Sequence, residues 1–348
     1  MKKFLYFNEK PILVTNPKNI SYVTGAGFEG FWIVLYKKNV FAITPEMIKG
    51  QIEQHLKRTG QKNTKISIIK KSFTDTVTEI CVKNDIKEIV VDTTDISYTL
   101  FKNLTEKFNN NKISVFADDE LFSKKRIVKD SSEIKNVKKA CEIVSLVFET
   151  VKNKTVAGMT ELDLHFEIEK EFATRHVVQS FKTIVACGEN SANPHHVSGK
   201  RKIRKNDIVL IDMGCIYNGY CSDLTRTFFI GTPKREFKKV WDIVKLAHDT
   251  ALKNVKEGIN TSDIDSFARN IIKQNGYGKK FIHTTGHGVG LDIHEAPTIG
   301  QNSKQTLQSG MIITIEPGIY LQNKFGVRIE DTVLVTKNGY KVLTAATI

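Results

Sequence analysis

Four carboxylates and one histidine in the second half of the chain stand out as potential metal ligands. In chain order they are Asp212, Asp223, His287, Glu316 and Glu330. An oxygen-rich set with a single imidazole suits a catalytic divalent ion such as Mn, Fe, Co or Zn, whereas structural zinc sites usually contain cysteine. Taken singly, an aspartate beside a turn can be a turn former, and a glutamate in a strand can be solvated. The ordered set, with the sequence around each member, favours a metal centre over coincidence.

A predicted hairpin brings the two aspartates together. Asn218-Gly219 lies between them, and Asn-Gly is the strongest short-range signal for a tight hairpin turn. With these two residues in the turn, position 214 faces 223 and position 212 faces 225. Asp212 and Asp223 then become diagonal neighbours on one face, about 7 Å or less apart. Two metal ions roughly 3.5 to 4 Å apart fit such a gap, whereas the carboxylates alone would repel each other.

Three predicted strands position the carboxylates. Residues 208–211 are uniformly apolar, which is typical of a strand buried on both faces, so the first aspartate follows a core element. Residues 311–316 form a second apolar run that ends on a glutamate. Residues 327–335 alternate between polar and apolar, so that Arg328 and Glu330 point the same way. The site is therefore expected on rigid strands.

These segments resemble the metal-binding segments of the methionine aminopeptidase, prolidase and aminopeptidase P superfamily. Its catalytic domain has the "pita-bread" fold, and its two divalent ions are bridged by a hydroxide. The resemblance implies that Asp212 serves one ion, that His287 and Glu316 serve the other, and that the carboxylates of Asp223 and Glu330 bridge the two. Mn is the expected metal, with Co, Zn or Fe as alternatives. Hydrolysis by the bridging hydroxide needs no covalent enzyme intermediate.

Residues outside the ligand set also match this superfamily. Pro194-His195 resembles a dipeptide whose histidine faces the substrate in Xaa-Pro members, and His294 matches a histidine that contacts the scissile amide. His283 corresponds to a residue near the substrate pocket, and Arg328 resembles an arginine that supports the metal ligands. The resemblance implies that Glu316 accepts a proton when water attacks, while His294 shares the oxyanion charge.

The chain is expected to be a mixed α/β (α+β) protein with two domains, since its 348 residues exceed a typical single domain. Residues 1–125 alternate strand-like and helical runs. Asn19–Gly25 resembles the opening of the creatinase-type N-terminal domain, which helps related enzymes to form dimers, so a homodimer is expected. Residues 126–348 are expected to form the pita-bread catalytic domain. Its first helix is predicted to start at a capping box made by Asp130 and Glu133.

The resemblance implies a metal-dependent exopeptidase acting on short peptides with proline at position two. Some prolidases carry an arginine four residues after the histidine that corresponds to His294, where it pairs with the carboxylate of a dipeptide. This chain has Thr298 there. An Xaa-Pro aminopeptidase is therefore the main prediction, and an Xaa-Pro dipeptidase (prolidase) is the alternative. A methionine aminopeptidase is disfavoured by the N-terminal domain and Pro194-His195, and creatinase by the intact ligands.

Other classes of protein are less consistent with the sequence. A non-catalytic binding protein of the same fold remains an alternative, but such relatives have generally lost metal ligands. The net charge of +14 raises the question of nucleic acid, yet the lysines are scattered and no nucleic-acid motif is present, so no such partner is expected. No apolar run suits a signal peptide or a membrane span, so we expect a cytoplasmic protein without a membrane partner. Five cysteines without a C-x-x-C pair indicate reduced thiols.

Overall fold

The computed structural model describes residues 10–25, 27, 29–59 and 63–347. The chain divides into two compact units, Met1–Lys125 and Arg126–Ile348. Within the described ranges, no helix is long and apolar enough to cross a lipid bilayer.

The first unit contains a mixed sheet in the order β4-β3-β2-β1-β5-β6. Its strands are β1 (Ile12–Val14), β2 (Trp32–Tyr36), β3 (Asn39–Thr44), β4 (Thr64–Ile68), β5 (Glu88–Asp92) and β6 (Ser114–Asp118). The helices are α1 (Pro17–Thr24), α2 (Lys49–Arg58), α3 (Phe73–Lys83), α4 (Tyr98–Asn110) and the short α5 (Ser123–Arg126) at the boundary. The strands β1 and β5 run parallel, as do β3 with β4 and β5 with β6, which is typical of an α/β unit.

The second unit contains two helix pairs. They are α6 (Ser131–Lys154) with α7 (Glu161–Thr174), and α8 (Arg235–Lys253) with α9 (Thr261–Gln274). The predicted capping box is confirmed, because the Asp130 side chain accepts from the backbone N–H of Glu133 and the Glu133 side chain accepts from that of Asp130. Each helix pair packs its apolar side against strands in a separate core. The α6/α7 core includes Val144, Phe148, Leu164, Val209 and Ile211. The α8/α9 core includes Val244, Ala247, Ile264, Ile313 and Ile315.

The strands of this unit form short antiparallel sheets. They are ordered β12-β9-β8, β11-β10-β7, β14-β13-β15-β18-β19 and β16-β17. Those of the first half are β7 (Val178–Gln179), β8 (Ile184–Cys187), β9 (Ile208–Met213), β10 (Cys215–Tyr217), β11 (Tyr220–Cys221) and β12 (Leu224–Phe229). Those of the second half are β13 (Gly286–Gly288), β14 (Glu295–Ile299), β15 (Ile312–Ile315), β16 (Gly318–Leu321), β17 (Phe325–Arg328), β18 (Asp331–Thr336) and β19 (Gly339–Val342).

Buried hydrogen bonds join the two halves next to β12. The backbone N–H of Glu330 donates to the carbonyl of Thr225 at 3.0 Å. The Arg226 guanidinium is almost fully buried, and its Nη2 donates to Asp331 Oδ1 at 2.7 Å and to the Ala346 carbonyl at 2.9 Å. Because a buried guanidinium is costly unless it is paired with an opposite charge, these contacts fix the position of the chain around Glu330.

The predicted hairpin register is confirmed. Tyr217 faces Tyr220 across the turn, and Asp212 faces Thr225 further along the pair. Both turn residues have positive φ, 49° at Asn218 and 83° at Gly219. Positive φ at both central positions is the requirement of a type I′ turn, which is why Asn-Gly is so informative here.

Gly214 is expected to be essential for this hairpin, because its ideal Cβ would lie 2.0 Å from the Ser222 carbonyl oxygen and 2.3 Å from Ser180 Oγ. Replacing Gly214 by Ala should lower the free energy of unfolding by about 1 to 3 kcal/mol, because the carbonyl belongs to the paired backbone and cannot move freely. Urea unfolding followed by circular dichroism measures this. Gly339→Ala, whose Cβ would meet no atom within 4 Å, is the control. An equal stability for both variants would contradict the prediction.

Candidate metal centre

The predicted ligands lie on or next to strands of both halves of the second unit. The single strand predicted over residues 327–335 is wrong, because the chain forms two strands there, β17 and β18, which are interrupted at Glu330. Asp212 lies on β9 and Asp223 immediately precedes β12. His287 lies on β13, Glu316 follows β15, and Glu330 lies between β17 and β18. All five line one cavity of about 820 Å³. The structure therefore brings together residues that are up to 118 positions apart in the sequence, as shown by their numbering.

Three of these residues form a compact ligand cluster. Ligand atoms of Asp223, His287 and Glu330 all lie within 4.8 Å of one another. His287 Nε2 is 3.6 Å from Asp223 Oδ2 and 3.4 Å from Glu316 Oε1. These separations leave space for a cation between the oxygens and the imidazole nitrogen.

One carboxylate oxygen of Asp212 accepts a hydrogen bond, and the other has no hydrogen-bond partner among the described residues. Its Oδ2 accepts a hydrogen bond from Arg328 Nη2 at 2.5 Å. Its Oδ1 is buried and has no hydrogen-bond partner among the described residues. Arg328 is itself fixed, since Nε donates to Thr225 Oγ1 at 3.1 Å and Nη1 donates to Tyr320 Oη at 2.8 Å. A buried carboxylate oxygen without a partner is costly, and a cation in the cavity would remove that cost.

The electrostatics of the cluster also fit a divalent ion. Burial, followed by the nearby charges of Glu330, Asp212 and Glu316, raises the pKa of Asp223 well above its usual range. Burial likewise raises the pKa of Glu330, with Glu316 as the next largest cause, and the pKa of Glu316. Burial lowers the pKa of His287, which favours the neutral imidazole that metals bind. Carboxylates that repel one another in a buried site are stabilised by a multivalent cation.

The other predicted site residues line the same cavity: His195, His283, His294 and Arg328. The rings of His294 and His287 are in edge-to-face contact, with centroids 4.3 Å apart. Burial is the largest cause that lowers the pKa of His294, and the charge of His287 is the next largest. His195 lies in the exposed part of a loop at the cavity.

Hydrogen bonds assign a tautomer to His283. Its Nδ1 lies 2.7 Å from the Thr284 carbonyl oxygen, which can only accept, so Nδ1 carries the proton. Its Nε2, 2.9 Å from Tyr320 Oη, then accepts from the tyrosine hydroxyl. Burial lowers the pKa of His283 and raises that of Tyr320 to about 12, so both groups stay neutral. Since both ring nitrogens are used, His283 forms a wall of the cavity.

Glu161, which sequence reasoning missed, organises the loop that carries His195. Its side chain is fully buried at the start of α7 and accepts four hydrogen bonds from the segment 187–199. The donors are Cys187 N at 2.8 Å, Asn190 Nδ2 at 2.9 Å, His196 Nε2 at 2.8 Å and Gly199 N at 3.0 Å. An acidic residue in the first turn of a helix usually has an ordinary explanation, the helix dipole, so the sequence contained no signal for this role.

A second buried network supports the loop that carries His294. Lys129 Nζ lies 2.5 Å from Glu295 Oε1, and Arg126 Nη2 lies 2.7 Å from Glu295 Oε2 and 2.5 Å from Asp292 Oδ2. Both cations are buried. In the sequence, Arg126 and Lys129 belong to a basic stretch that is typical of a linker between domains. Their burial in paired form shows that this segment is part of the catalytic unit, because buried charges require partners.

Comparison with known proteins decides the family. Residues 135–337 match the metallopeptidase family M24, and residues 10–128 match the creatinase/prolidase N-terminal domain. The chain belongs to metallopeptidase family M24. It is similar over nearly its whole length to the Xaa-Pro dipeptidase of Pyrococcus furiosus, with 36% identity over 335 residues, covering 96% of this chain and 92% of that protein.

Two solved structures have a similar fold. The Xaa-Pro dipeptidase from Bacillus anthracis is 31% identical, with a TM-score of 0.92 and coverage of 97% of this chain and 93% of that chain. The X-Pro aminopeptidase from Thermotoga maritima is also 31% identical, with a TM-score of 0.89 and coverage of 97% and 96%. The predicted fold, a pita-bread catalytic domain preceded by a creatinase-type domain, is confirmed.

Replacing Glu161 by Gln should impair the His195 loop. The amide nitrogen of the new glutamine would face N–H donors of the segment 187–199, so it could not accept their hydrogen bonds. The loss of these charge-assisted hydrogen bonds should lower the free energy of unfolding by about 1.5 to 3 kcal/mol. Displacement of His195 should lower the turnover of peptides by up to about 100-fold while metal content is unchanged. Steady-state kinetics and metal analysis test this. Glu142→Gln, at a half-buried position of α6 that does not line the cavity, is the control. Unchanged turnover in Glu161→Gln would contradict the prediction.

The stability of protein stripped of metal by a chelator should fall as pH rises above about 6.5. The pKa values of Asp223, Glu316 and Glu330 are raised in the folded state, so unfolding releases protons from these groups, and their contribution to the free energy of unfolding decreases with pH. The lowered pKa values of His283, His287 and His294 act in the opposite direction, but only below the ordinary histidine pKa of about 6.5. A bound divalent ion favours the ionised carboxylates, so the melting temperatures of metal-loaded and stripped protein should diverge as pH increases. Thermal melts at several pH values test this, and a constant difference would contradict it.

Proposed function

We propose that this protein is an Xaa-Pro dipeptidase (prolidase) that depends on two divalent metal ions. The observation that carries the metal-dependent part is the convergence of Asp223, His287 and Glu330 in one cavity, beside the unpartnered Oδ1 of Asp212. The sequence alone made an Xaa-Pro aminopeptidase the main prediction. The relatives named Xaa-Pro dipeptidase support the alternative better.

We infer that the two ions are held by the five residues predicted from the sequence: Asp212, Asp223, His287, Glu316 and Glu330. Manganese is our first choice because the set is rich in oxygen, and Co, Zn or Fe are alternatives. When bound, such ions polarise the scissile carbonyl and lower the pKa of a water molecule. We also retain the expectation of a cytoplasmic homodimer that acts on short peptides with proline at position two.

The residues of the chain supply the remaining steps. Glu316 lies at the cavity beside His287, where its carboxylate is placed to take the proton from the attacking water and pass it to the leaving nitrogen. His294 packs on His287 and donates a hydrogen bond to the oxygen on which negative charge develops. His195, on the loop held by Glu161, lines the same cavity and contacts the substrate there.

Two further residues position the reacting groups. Arg328 holds one oxygen of Asp212, so that the other is directed to the ion. His283 is fixed by Tyr320 and shapes the substrate pocket. The imide nitrogen of proline has no hydrogen, and proline restricts the backbone, so a rigid pocket suits it.

An Xaa-Pro aminopeptidase is the second candidate. A neighbouring cavity of about 600 Å³ shares Ile282, His283, Thr284 and Thr298 with the main one, which offers room for a longer peptide. The similarity to the Thermotoga maritima X-Pro aminopeptidase also favours this candidate.

The decisive experiment compares an Xaa-Pro dipeptide with an Xaa-Pro-Yaa tripeptide of the same first residue, using protein loaded with Mn. We expect a higher kcat/KM for the dipeptide. Preferential cleavage of the tripeptide would identify the aminopeptidase instead, and absence of hydrolysis despite bound metal would favour a non-catalytic binding protein.

The Asp223→Ala variant tests the metal centre in the same assay. Loss of a ligand shared by two ions should reduce both metal content and kcat/KM, the latter by at least about 100-fold. The fold should survive, because the change removes a buried, repelled carboxylate. Asp242→Ala, an exposed residue of α8, is the matched control. Full activity in Asp223→Ala would refute the assigned centre.

A further inference from the structure

A dipeptide substrate places a second charged group close to the bond that is cleaved. Three covalent bonds separate the scissile carbonyl carbon from the carbon of the C-terminal carboxylate, a distance of less than about 4 Å. The four carboxylates that line the cavity, Asp212, Asp223, Glu316 and Glu330, are the groups proposed to hold the two ions, so their charge and that of the ions largely offset each other. A dipeptidase therefore needs a further cation at the cavity for the substrate's carboxylate, and Thr298 supplies only a hydroxyl.

Arg328 is not available for this task. Its guanidinium is 4% exposed, and it donates to Asp212, Tyr320 and Thr225. Turning it toward a substrate would leave the Asp212 carboxylate without its partner.

Lys182 is the uncommitted cation at the cavity. It lines the cavity, it is exposed, and among the described residues it has no ion pair and no side-chain hydrogen bond. It lies two residues before Ile184, which faces Asp212 across the β8/β9 pair. Directly opposed residues of an antiparallel pair project to the same face, so Ile184 lies beside Asp212. Lys182 and Ile184 both line the cavity.

We infer that Lys182 Nζ binds the C-terminal carboxylate of the Xaa-Pro dipeptide and so determines the preference for dipeptides over longer peptides. This inference rests on the proposed dipeptidase function. A lysine suits the role because its ammonium is a compact charge on a flexible stem and can meet the carboxylate from the rim of the cavity. The contact is with the substrate and not with the reacting atoms, so Lys182 acts on substrate affinity.

The test measures hydrolysis of an Xaa-Pro dipeptide and of the corresponding Xaa-Pro amide, which lacks the negative charge, by metal-loaded full-length protein. In Lys182→Met we expect the KM for the dipeptide to rise about tenfold, as for the loss of one charge-assisted hydrogen bond. Its kcat, and the kcat/KM for the amide, should change less than about twofold, because the metal centre is untouched. Lys182→Arg should retain the preference for the free acid.

Salt provides an independent readout. The preference of the wild type for the acid over the amide should decrease as ionic strength rises, since an exposed ion pair is screened, and Lys182→Met should show no such dependence. Lys135→Met removes the same charge from an exposed lysine of α6 that does not line the cavity, and it should behave as the wild type.

The outcomes separate this inference from the proposed function. Suppose that the wild type hydrolyses the dipeptide and that Lys182→Met keeps the same ratio of acid to amide hydrolysis. The carboxylate-binding role of Lys182 is then refuted, while the proposed dipeptidase activity stands. If the wild type prefers tripeptides, both are overturned. Because Lys182 is exposed, its replacement is not expected to impair folding, and unchanged metal content and melting temperature verify this.

Discussion

The catalytic unit depends on keeping several carboxylates close together in a buried site although they repel one another. Burial raises the pKa of Asp223, Glu316 and Glu330, which means that the folded scaffold maintains an arrangement that the ligands oppose. The neighbouring strands supply the compensating contacts. Thr225 Oγ1 donates to Glu330 Oε2 at 2.7 Å, and Thr332 Oγ1 donates to the Asp223 carbonyl at 2.8 Å. These carboxylates stay in place because the neighbouring strands hold them, and not because they attract one another.

Local sequence chemistry was sufficient to predict the part of the site built by the hairpin. The Asn218-Gly219 turn fixes the register, and a period of two then places Asp212 and Asp223 on one face. Candidate ligands could be named from the sequence because few types of residue bind divalent ions. Glu161 could not be predicted, since its partners begin 26 positions away, at the end of β8 and in the segment that follows it. Arg126 was missed for the same reason, because Glu295 lies 169 positions away.

The choice between the two exopeptidase activities shows a limit of motif reasoning. The absence of an arginine at position 298 favoured an aminopeptidase, but the charge that receives a carboxylate can come from any element at the rim of a cavity. In this chain the candidate, Lys182, precedes β8 in the first half of the catalytic unit, whereas position 298 lies on β14 in the second. A motif shows at which sequence position relatives carry the cation. Binding of the dipeptide carboxylate requires only that some cation can contact it in the cavity.

The hydrogen bonds of His283 have a consequence for the energetics of ligand binding. An unbroken series runs from His283 through Tyr320 and Arg328 to Asp212. A peptide that displaced His283 would therefore act on the carboxylate proposed to hold an ion. Such a coupling of binding free energies is reciprocal, so peptide and metal would alter each other's affinity by the same factor. The apparent metal affinity would then depend on whether the pocket holds a peptide.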